Sequence, residues 1–556
     1  MLSYGWLANC EPHANGPNVT SFDLFEQALA HHRAGKIAQA ETQYRHLLKH
    51  EPYHDRWGPQ SALAHCELGS ILAKRGEWDE AIDVLSRAVQ LDPAAAEAHA
   101  NLGAALGDSG RILECIESYR RALELRPEWY AVHDNILYMM PFASQFDAEA
   151  ICNEARAWNI AYAEPLRATV RAHKNDRHVD RRLRVGYVSP HFCDHCQSFF
   201  TLPLFTHHNR DRVEVFCYAS VNLVDDITKQ LQTRADVWQN VFHLDNAELA
   251  QLVRKDEIDV LVDLTMHMEN GRLPMFARKP APVQVSWLAY PGTTGVEAID
   301  YRITDCHLDP PERYPRPYYS ERSIILPNTF WCYEPRHLDI DCGPLPARSN
   351  GYLTFGSLNH FRKINDEVID LWAQVLNSIE GSRMLILAPQ GKSRERVLST
   401  FERRAIEANR ITFFSRMPLR EYLELYRHID ICLDSFPYGG HATNLDASWM
   451  GVPVVSLLGS TIVGRASLTI ASNLQLKHLV ANTPLEYVRC ASALASDLDS
   501  LEELRSTIRS RMMASPLMDQ ARFARNLEDA YAAVWRIWCA GGTSDRSPLV
   551  IADRRE

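Results

Sequence analysis

The chain has 556 residues, 46% hydrophobic and 23% charged, a composition typical of a folded globular protein with several domains. A net charge of −11 and a pI near 6.1 argue against nonspecific nucleic-acid binding as its main role. We find no basic-then-apolar leader, no apolar run of about 18 residues, and no regular spacing of the 13 cysteines. We therefore expect a cytoplasmic protein that binds neither nucleic acid nor membrane.

The first part of the chain is an internal repeat with a period of 34 residues. The segment from Ala64 to Gly76 returns from Ala98 to Gly110, an earlier copy carries Gly35, Ala40 and Pro52, and a weaker copy begins near Tyr130. The pattern resembles the tetratricopeptide repeat, in which two helices form each unit and stacked units present a groove to a peptide or partner protein. It predicts repeats over residues 1–145 and a helical linker over 146–180.

The rest of the chain alternates short β-rich runs with helical stretches. One series begins at Leu183 and a second at Tyr352, and each predicts a Rossmann-like lobe with a parallel sheet. The fold class is therefore α + α/β, an α-solenoid followed by two lobes. We assign residues 181–340 to the first lobe, 350–540 to the second lobe with a closing helix, and 541–556 to a loose tail.

A strand, a Pro- and Gly-rich loop, a helix and another strand follow one another from Ile429 to Leu458. We expect Thr443 or Asn444 to cap a helix that begins near Leu445. Ligands bind beyond the carboxyl ends of strands in such sheets, and a helix N-terminus favours phosphate. The loop predicts a phosphate site, in which Asp446 accepts hydrogen bonds from a sugar hydroxyl.

Three further polar residues follow predicted strands and should face the same cleft. His195 and His267 belong to the first lobe, where each is a candidate general base or phosphate donor, and Lys363 of the second lobe is suited to meet a diphosphate. The histidines and cysteines around His195 are crowded within six residues, without the distant second pair that a zinc site needs. We therefore predict no metal.

Six motifs accompany the repeats. They are Arg-Val-Gly-Tyr-Val-Ser (184–189), Arg-Lys-Pro-Ala-Pro-Val-Gln-Val-Ser-Trp (278–287), Tyr-Pro-Gly-Thr-Thr-Gly (290–295), Asp-Tyr-Arg-Ile-Thr-Asp (300–305), Gly-His-Ala-Thr-Asn-Leu-Asp (440–446) and Ser-Pro-Leu-Met (515–518). Together with the repeats, these motifs resemble the protein O-GlcNAc transferase family, and the chain is similar to a bacterial member. The resemblance implies a GT-B fold and inverting transfer of N-acetylglucosamine from UDP-GlcNAc to protein Ser or Thr, with no metal or other cofactor.

The resemblance also implies roles for individual residues. His195 matches a histidine once assigned as proton acceptor, His267 belongs to a Leu-Thr-x-His pattern, and Lys363 matches the lysine that holds the donor diphosphate. The donor-binding set implied by the resemblance is His360, Lys363, Met417, Leu419, Tyr422, His441, Ala442, Thr443 and Asp446.

The chain departs from the family pattern at several donor-site positions. His360 stands where the family has a glutamine and Ala442 where it has a threonine, while Leu419 lacks a lysine's charge and Tyr422 replaces a histidine. Three alternatives therefore stay open: a protein O-fucosyltransferase that uses GDP-fucose, a glycosyltransferase with a non-protein acceptor, and an inactive repeat scaffold. If the repeats only select acceptors, deletion of the residues before about position 130 leaves nucleotide binding intact.

Overall fold

A computed structural model describes residues 21–50, 58–311 and 318–553, so Pro52 of the first repeat lies outside the described residues. The chain divides into two compact units, residues 1–105 and 106–556. Helices alone make up the described part of the first unit and continue into the second. They are α1 (Ser21–Arg33), α2 (Ile37–His50), α3 (Gly58–Arg75), α4 (Trp78–Leu91), α5 (Ala96–Asp108), α6 (Ile112–Leu125), α7 (Tyr130–Met139) and α8 (Ala148–Trp158).

The helices form pairs in the register that the sequence repeat predicts. The turns within three successive pairs contain Gly35, Gly76 and Gly110, whose φ angles are +73°, +85° and +83°. Glycine adopts this left-handed conformation without the steric penalty of a side chain. Helices α3 and α4 approach so closely that a Cβ on Gly69 would lie 2.4 Å from Cγ of Leu85. Small residues at fixed intervals therefore set the spacing of the helices.

The second unit contains two parallel sheets, as predicted. The elements of the first lobe that precede the second lobe are β1 (Leu183–Ser189), α9 (Ser198–His207), β2 (Val213–Ala219), α10 (Asp226–Gln232), β3 (Val237–Asn240), α11 (Asn246–Lys255), β4 (Val260–Asp263), α12 (Leu273–Phe276), β5 (Val283–Ser286), β6 (Tyr301–Asp305) and β7 (Arg322–Leu326). The C-terminal segment adds β14 (Leu549–Val550). In the described residues the strand order of this sheet is β14-β7-β6-β5-β4-β1-β2-β3, and each neighbouring pair is parallel. The central strands are buried on both faces, which explains their continuous apolar sequences.

The second lobe carries the other sheet, with the strand order β10-β9-β8-β11-β12-β13 in the described residues. Its neighbouring strands are again parallel. The elements are α13 (Pro346–Asn350), β8 (Thr354–Ser357), α14 (Asp366–Ser378), β9 (Arg383–Leu387), α15 (Lys392–Arg403), β10 (Ile411–Phe414), α16 (Leu419–Leu425), β11 (Ile431–Leu433), α17 (Ala442–Trp449), β12 (Val454–Leu457), α18 (Ala466–Asn473), β13 (Val480–Ala481), α19 (Pro484–Ser496) and α20 (Leu498–Met513). The two-lobed α + α/β prediction is confirmed.

The C-terminal segment differs from the sequence-based prediction. Helix α21 (Gln520–Cys539) follows the second lobe in the chain but packs on the first, where Glu528 accepts a 3.0 Å hydrogen bond from Nδ1 of His208. Phe523 contacts Trp287 there, with ring centroids 5.8 Å apart. The tail, predicted to be loose, supplies strand β14 (Leu549–Val550), which pairs with β7. The first lobe therefore buries the apolar face of α21, and β14 covers the otherwise open edge of its strand β7.

Candidate active site

The predicted site loops lie at the points where strand order reverses in the two sheets. Strand β1 lies between β4 and β2, and strand β8 lies between β9 and β11. Such switch points open a crevice at the carboxyl edge of a sheet. Cys196, in the loop after β1, lies near enough to Lys363 and Asp446 of the second lobe for their charges to act on its thiol. The loops of the two lobes therefore face each other across one cleft.

Lys363 ends a short 3₁₀ turn, Phe361–Lys363, that follows β8. Its Nζ donates a 2.7 Å hydrogen bond to the carbonyl oxygen of Gly439 and lies 4.4 Å from the centroid of the Tyr438 ring. Burial lowers the pKa of Lys363 to about 8, although the nearby Asp434 carboxylate opposes this effect. The ammonium group is thus held against the glycine loop, partly removed from water.

Helix α17 begins at Ala442, three residues before the predicted start at Leu445, and His441 is its N-cap residue. The His441 side chain makes no capping hydrogen bond; its Nε2 donates instead to the carbonyl oxygen of Val463 at 3.1 Å. Burial, together with the charge of Lys363, lowers the pKa of His441 to about 3, so the ring is neutral at physiological pH. The positive end of the helix dipole lies beside a neutral ring and a lysine, a setting that favours an anion.

The two residues predicted to cap this helix have other partners, which explains its earlier start. The Thr443 hydroxyl donates a 2.7 Å hydrogen bond to Oδ1 of Asn359. The Asn444 amide donates to Oδ2 of Asp434 at 2.8 Å and to the Ser467 hydroxyl at 3.1 Å. Both side chains fix the loop from within the second lobe.

Asp434 organises this loop, and the sequence analysis assigned it no role. The carboxylate is buried at the carboxyl end of β11, and Oδ1 accepts hydrogen bonds from the Gly440 amide at 2.7 Å and the Ser435 amide at 2.9 Å. Oδ2 accepts hydrogen bonds from Asn444 at 2.8 Å, Ser456 at 2.9 Å and Ser467 at 2.5 Å. A signal was available, because an aspartate directly after a buried strand and before a Pro-Gly loop commonly binds backbone amides.

Asp446, predicted to hold a sugar hydroxyl, is buried and already accepts two hydrogen bonds. Tyr333 donates to Oδ1 at 2.7 Å and Tyr422 donates to Oδ2 at 3.1 Å. Burial raises the pKa of Asp446 to about 6, while the two tyrosine hydroxyls oppose this rise. Each carboxylate oxygen keeps a second lone pair, so a ribose role stays a prediction.

The other predicted donor contacts border the same loops. Met417 and Leu419, on either side of the start of α16, are partly buried against the large core that both lobes share. Tyr422 donates to Asp446, which ties this segment to α17. His360 is exposed, and its Nδ1 accepts the Arg362 amide at 3.3 Å.

His195 lies in the cleft and stacks on His191, with ring centroids 4.0 Å apart and an interplanar angle of 14°. Burial, followed by the charges of His191, Arg336 and Arg416, lowers the pKa of His195 to about 3. Its Nδ1 accepts the Gln197 amide at 3.3 Å, so the hydrogen-bond pattern assigns the proton of the neutral ring to Nε2. The ring is a weak base and a hydrogen-bond donor.

His267 does not lie open to the cleft, contrary to the prediction that it takes a proton. Its side chain is fully buried, and Nε2 donates a 2.8 Å hydrogen bond to the carbonyl oxygen of Thr294. Its Nδ1 lies 2.6 Å from Oδ1 of Asp134 on α7, whose pKa is raised by burial. Because both ring nitrogens have partners, neither is available to an acceptor hydroxyl.

Among residues 21–50, 58–311 and 318–553, no group of three or more His, Cys, Asp and Glu side chains is placed to hold a metal ion. Over the same part of the chain, we find no helix whose length and apolarity would let it cross a membrane.

Sequence comparisons decide the family. The profile described as "Glycosyl transferase family 41" matches residues 130–339 and 345–527, which is more than half of the chain. This chain belongs to glycosyl transferase family 41. Profiles described as "TPR repeat" and "Tetratricopeptide repeat" match residues 69–110 and 96–128.

Individual relatives agree with this assignment. The chain is 36% identical over 429 residues to a protein of Hordeum vulgare named "Probable UDP-N-acetylglucosamine--peptide N-acetylglucosaminyltransferase SPINDLY". This match covers 76% of the chain and 45% of the barley protein, so the chain spans about half the length of that curated relative. A solved structure of a Thermobaculum terrenum O-GlcNAc transferase mutant is also similar, with a TM-score of 0.85 and 35% identity over 95% of this chain and 100% of that one.

Proposed function

We propose that the chain is a protein O-glycosyltransferase that transfers N-acetylglucosamine from UDP-GlcNAc to Ser or Thr hydroxyls with inversion. The proposal rests mainly on one observation: Lys363, the uncapped start of α17 and the loop that contains His195 all lie at the same cleft. Membership of glycosyl transferase family 41 and the names of the relatives support the same reaction and the same donor.

In this mechanism the acceptor hydroxyl oxygen attacks the anomeric carbon of the sugar from the face opposite the diphosphate. The bond from that carbon to oxygen forms as the bond to the diphosphate oxygen breaks, and the diphosphate takes the electron pair of the broken bond. The hydroxyl proton is released to water, so the main change is negative charge on the leaving group. Lys363 and the first backbone amides of α17 are suited to stabilise that charge. The loop is fixed by Asp434, so these donors need little rearrangement before reaction.

We assign His195 to donor binding rather than to proton removal. A general base works best when its pKa lies near the operating pH, and the pKa of His195 lies near 3. Its protonated Nε2 is instead suited to donate a hydrogen bond to the donor sugar or diphosphate. The acceptor is a protein or peptide bound by the repeat groove, and a bacterial origin and a cytoplasmic location both stay predictions.

Calorimetry with UDP tests the donor site. We expect binding both with and without added divalent metal, and Lys363→Ala should weaken it about tenfold or more, the effect of losing one charge-assisted contact. Lys229→Ala, which removes an exposed lysine paired with Asp226 on α10, is the matched control and should bind like the wild type.

A transfer assay tests the reaction itself. The full chain is incubated with a Ser- and Thr-containing protein and either UDP-GlcNAc or GDP-fucose. The mass of the acceptor protein is then measured by mass spectrometry. The addition of N-acetylhexosamine supports the proposal. The addition of fucose alone would replace the donor, while UDP-GlcNAc hydrolysis with no modified protein would point to a different acceptor.

A further inference from the structure

The Tyr438 ring lies at the centre of the groups proposed to hold the diphosphate. The Nζ atom of Lys363 is 4.4 Å from its centroid, and the His441 ring centroid is 4.9 Å away. The Phe142 ring stacks on the same side chain at 4.6 Å, with an interplanar angle of 22°. Tyr438 is thus in contact both with the anion-binding groups and with a residue about three hundred positions earlier in the chain.

Phe142 belongs to the helical segment before the lobes, not to either sheet. It ends the 3₁₀ turn Met140–Phe142 after α7 and is only 3% exposed. Its neighbour Tyr138 contacts Tyr290, in the glycine-containing loop of the first lobe, with ring centroids 5.9 Å apart. One short segment therefore touches a loop from each lobe.

Polar contacts fix the same segment to the second lobe. The guanidinium of Arg362, beside Lys363, lies over the Tyr138 ring at 5.9 Å from its centroid. The Ser144 hydroxyl donates to Oε1 of Glu367 at 2.7 Å. Because these contacts flank Phe142 in the chain, its ring has little freedom to move away from Tyr438.

We propose that Phe142 is a positioning residue for the donor diphosphate: it holds the Tyr438 ring against which Lys363 and His441 are placed. A stacked aromatic pair contributes more than the burial of its surface, and a restrained ring fixes the groups packed on it. Phe142 does not touch the donor and acts through Tyr438 and Lys363. The proposal rests on the proposed function, because it concerns the same nucleotide site.

A double-mutant cycle on UDP affinity tests the proposal in the full chain. Phe142→Leu keeps most of the apolar volume and removes the flat ring, so UDP binding should weaken about three- to tenfold, the value of an aromatic stack. If Phe142 acts through Lys363, the double variant Phe142→Leu/Lys363→Ala should bind within about twofold of Lys363→Ala alone. Phe142→Met keeps a similar volume and serves as the second variant, judged by the same criteria.

The matched control is Phe401→Leu, the same change at a fully buried phenylalanine of α15 in the second lobe. It should bind UDP like the wild type. Wild-type affinity in Phe142→Leu and Phe142→Met, additive losses in the double variant, or an equal loss in Phe401→Leu would overturn the positioning role. An absence of UDP binding by the wild type would instead overturn the proposed function.

Discussion

Lys363 is a cation in surroundings that disfavour its charge. The aromatic face of Tyr438 and the carbonyl oxygen of Gly439 are its direct partners, and the Asp434 carboxylate is the main opposing charge that acts on it. That carboxylate is itself saturated with hydrogen bonds from its own loop. An incoming diphosphate would therefore supply the strong counter-charge that the lysine lacks.

We predict that UDP affinity falls as the pH rises through about 8. Burial lowers the pKa of Lys363 to about 8, so the lysine is charged below this pH and neutral above it. Affinity should then decrease by up to about tenfold per pH unit, because only the charged lysine pairs with the diphosphate. Calorimetry between about pH 7 and pH 9 measures the effect.

Lys363→Arg is the control for this prediction, because a guanidinium keeps its charge throughout the range tested. Its UDP affinity should be flat above pH 8. Neither His441 nor His195 should contribute, since the pKa of each lies near 3, and the pKa of Cys196 lies near 11. A decline of the same steepness in Lys363→Arg would assign the titration to another group.

The two histidines of the first lobe show how similar sequence contexts lead to different environments. Each follows a buried strand of the same sheet, so the sequence made them equal candidates for the base. His195 projects into the cleft, whereas His267 is bonded to Asp134 on one side and Thr294 on the other. His267 links helix α7 to the glycine-containing loop of the first lobe, so its role is structural.

At the scale of single elements, strand β11 carries a buried aspartate at each end. Asp430 precedes the strand and accepts hydrogen bonds from the amides of Ala347 at 2.9 Å and Thr354 at 2.8 Å. Asp434 follows it and holds the loop that leads to α17. Both should support the fold, but only Asp434 lies at the cleft.

We predict that Asp434→Asn and Asp430→Asn separate stability from binding. Each replaces a buried acceptor with an amide that cannot satisfy the same donors, and should lower the free energy of unfolding by about 1–3 kcal/mol. Only Asp434→Asn should also weaken UDP binding, by about tenfold, because it releases the Gly440 amide and the Asn444 side chain. Urea unfolding and calorimetry at a temperature where both variants are folded provide the measurements.

The outcome for the pair is decisive because Asp430 is the control for Asp434. A wild-type UDP affinity in Asp434→Asn would show that the loop does not depend on its buried carboxylate. An equal loss in both would mean that strand β11 as a whole, rather than its carboxyl end, determines binding.

At the scale of the whole molecule, the predicted separation of repeats from lobes needs a different boundary. The second compact unit begins at Leu106, and Asp108 within it pairs with Arg362 beside Lys363. Gly110 packs against Phe361, so that a Cβ there would lie 3.1 Å from the ring. A deletion to about residue 130 therefore removes contacts of the donor site along with the repeats.

We predict that deletion of residues 1–95 leaves UDP affinity within about twofold of the wild type. Deletion of residues 1–129 should weaken UDP affinity about two- to fivefold, because this is the range expected for the loss of a partly exposed ion pair. The shorter deletion keeps α5 and the Asp108–Arg362 pair, and the longer one removes both. Both should lose transfer to a folded protein acceptor if the repeats select it. Calorimetry and the transfer assay measure the two effects, and equal UDP affinities would show that the Asp108–Arg362 pair contributes nothing to the donor site.

The sequence by itself determined the features that depend on neighbouring residues. The 34-residue period, the glycines in the repeat turns and the alternation of strands with helices predicted the solenoid and both lobes. The rule that parallel strands end at one edge then predicted where Lys363 and the His441 loop lie. These signals are local, because consecutive residues determine the periodicity of helices and strands and the conformation of turns.

Only the tertiary structure decided which side chains bind one another across the chain. In the structure both ring nitrogens of His267 have hydrogen-bond partners, and the Asn444 amide binds Asp434 instead of capping α17. Helix α21 packs on the first lobe, and Phe142 stacks on Tyr438. The partners are between 10 and 320 residues apart in the chain. A buried polar or aromatic group binds the partner that tertiary packing places beside it. No pattern of consecutive residues specifies that choice.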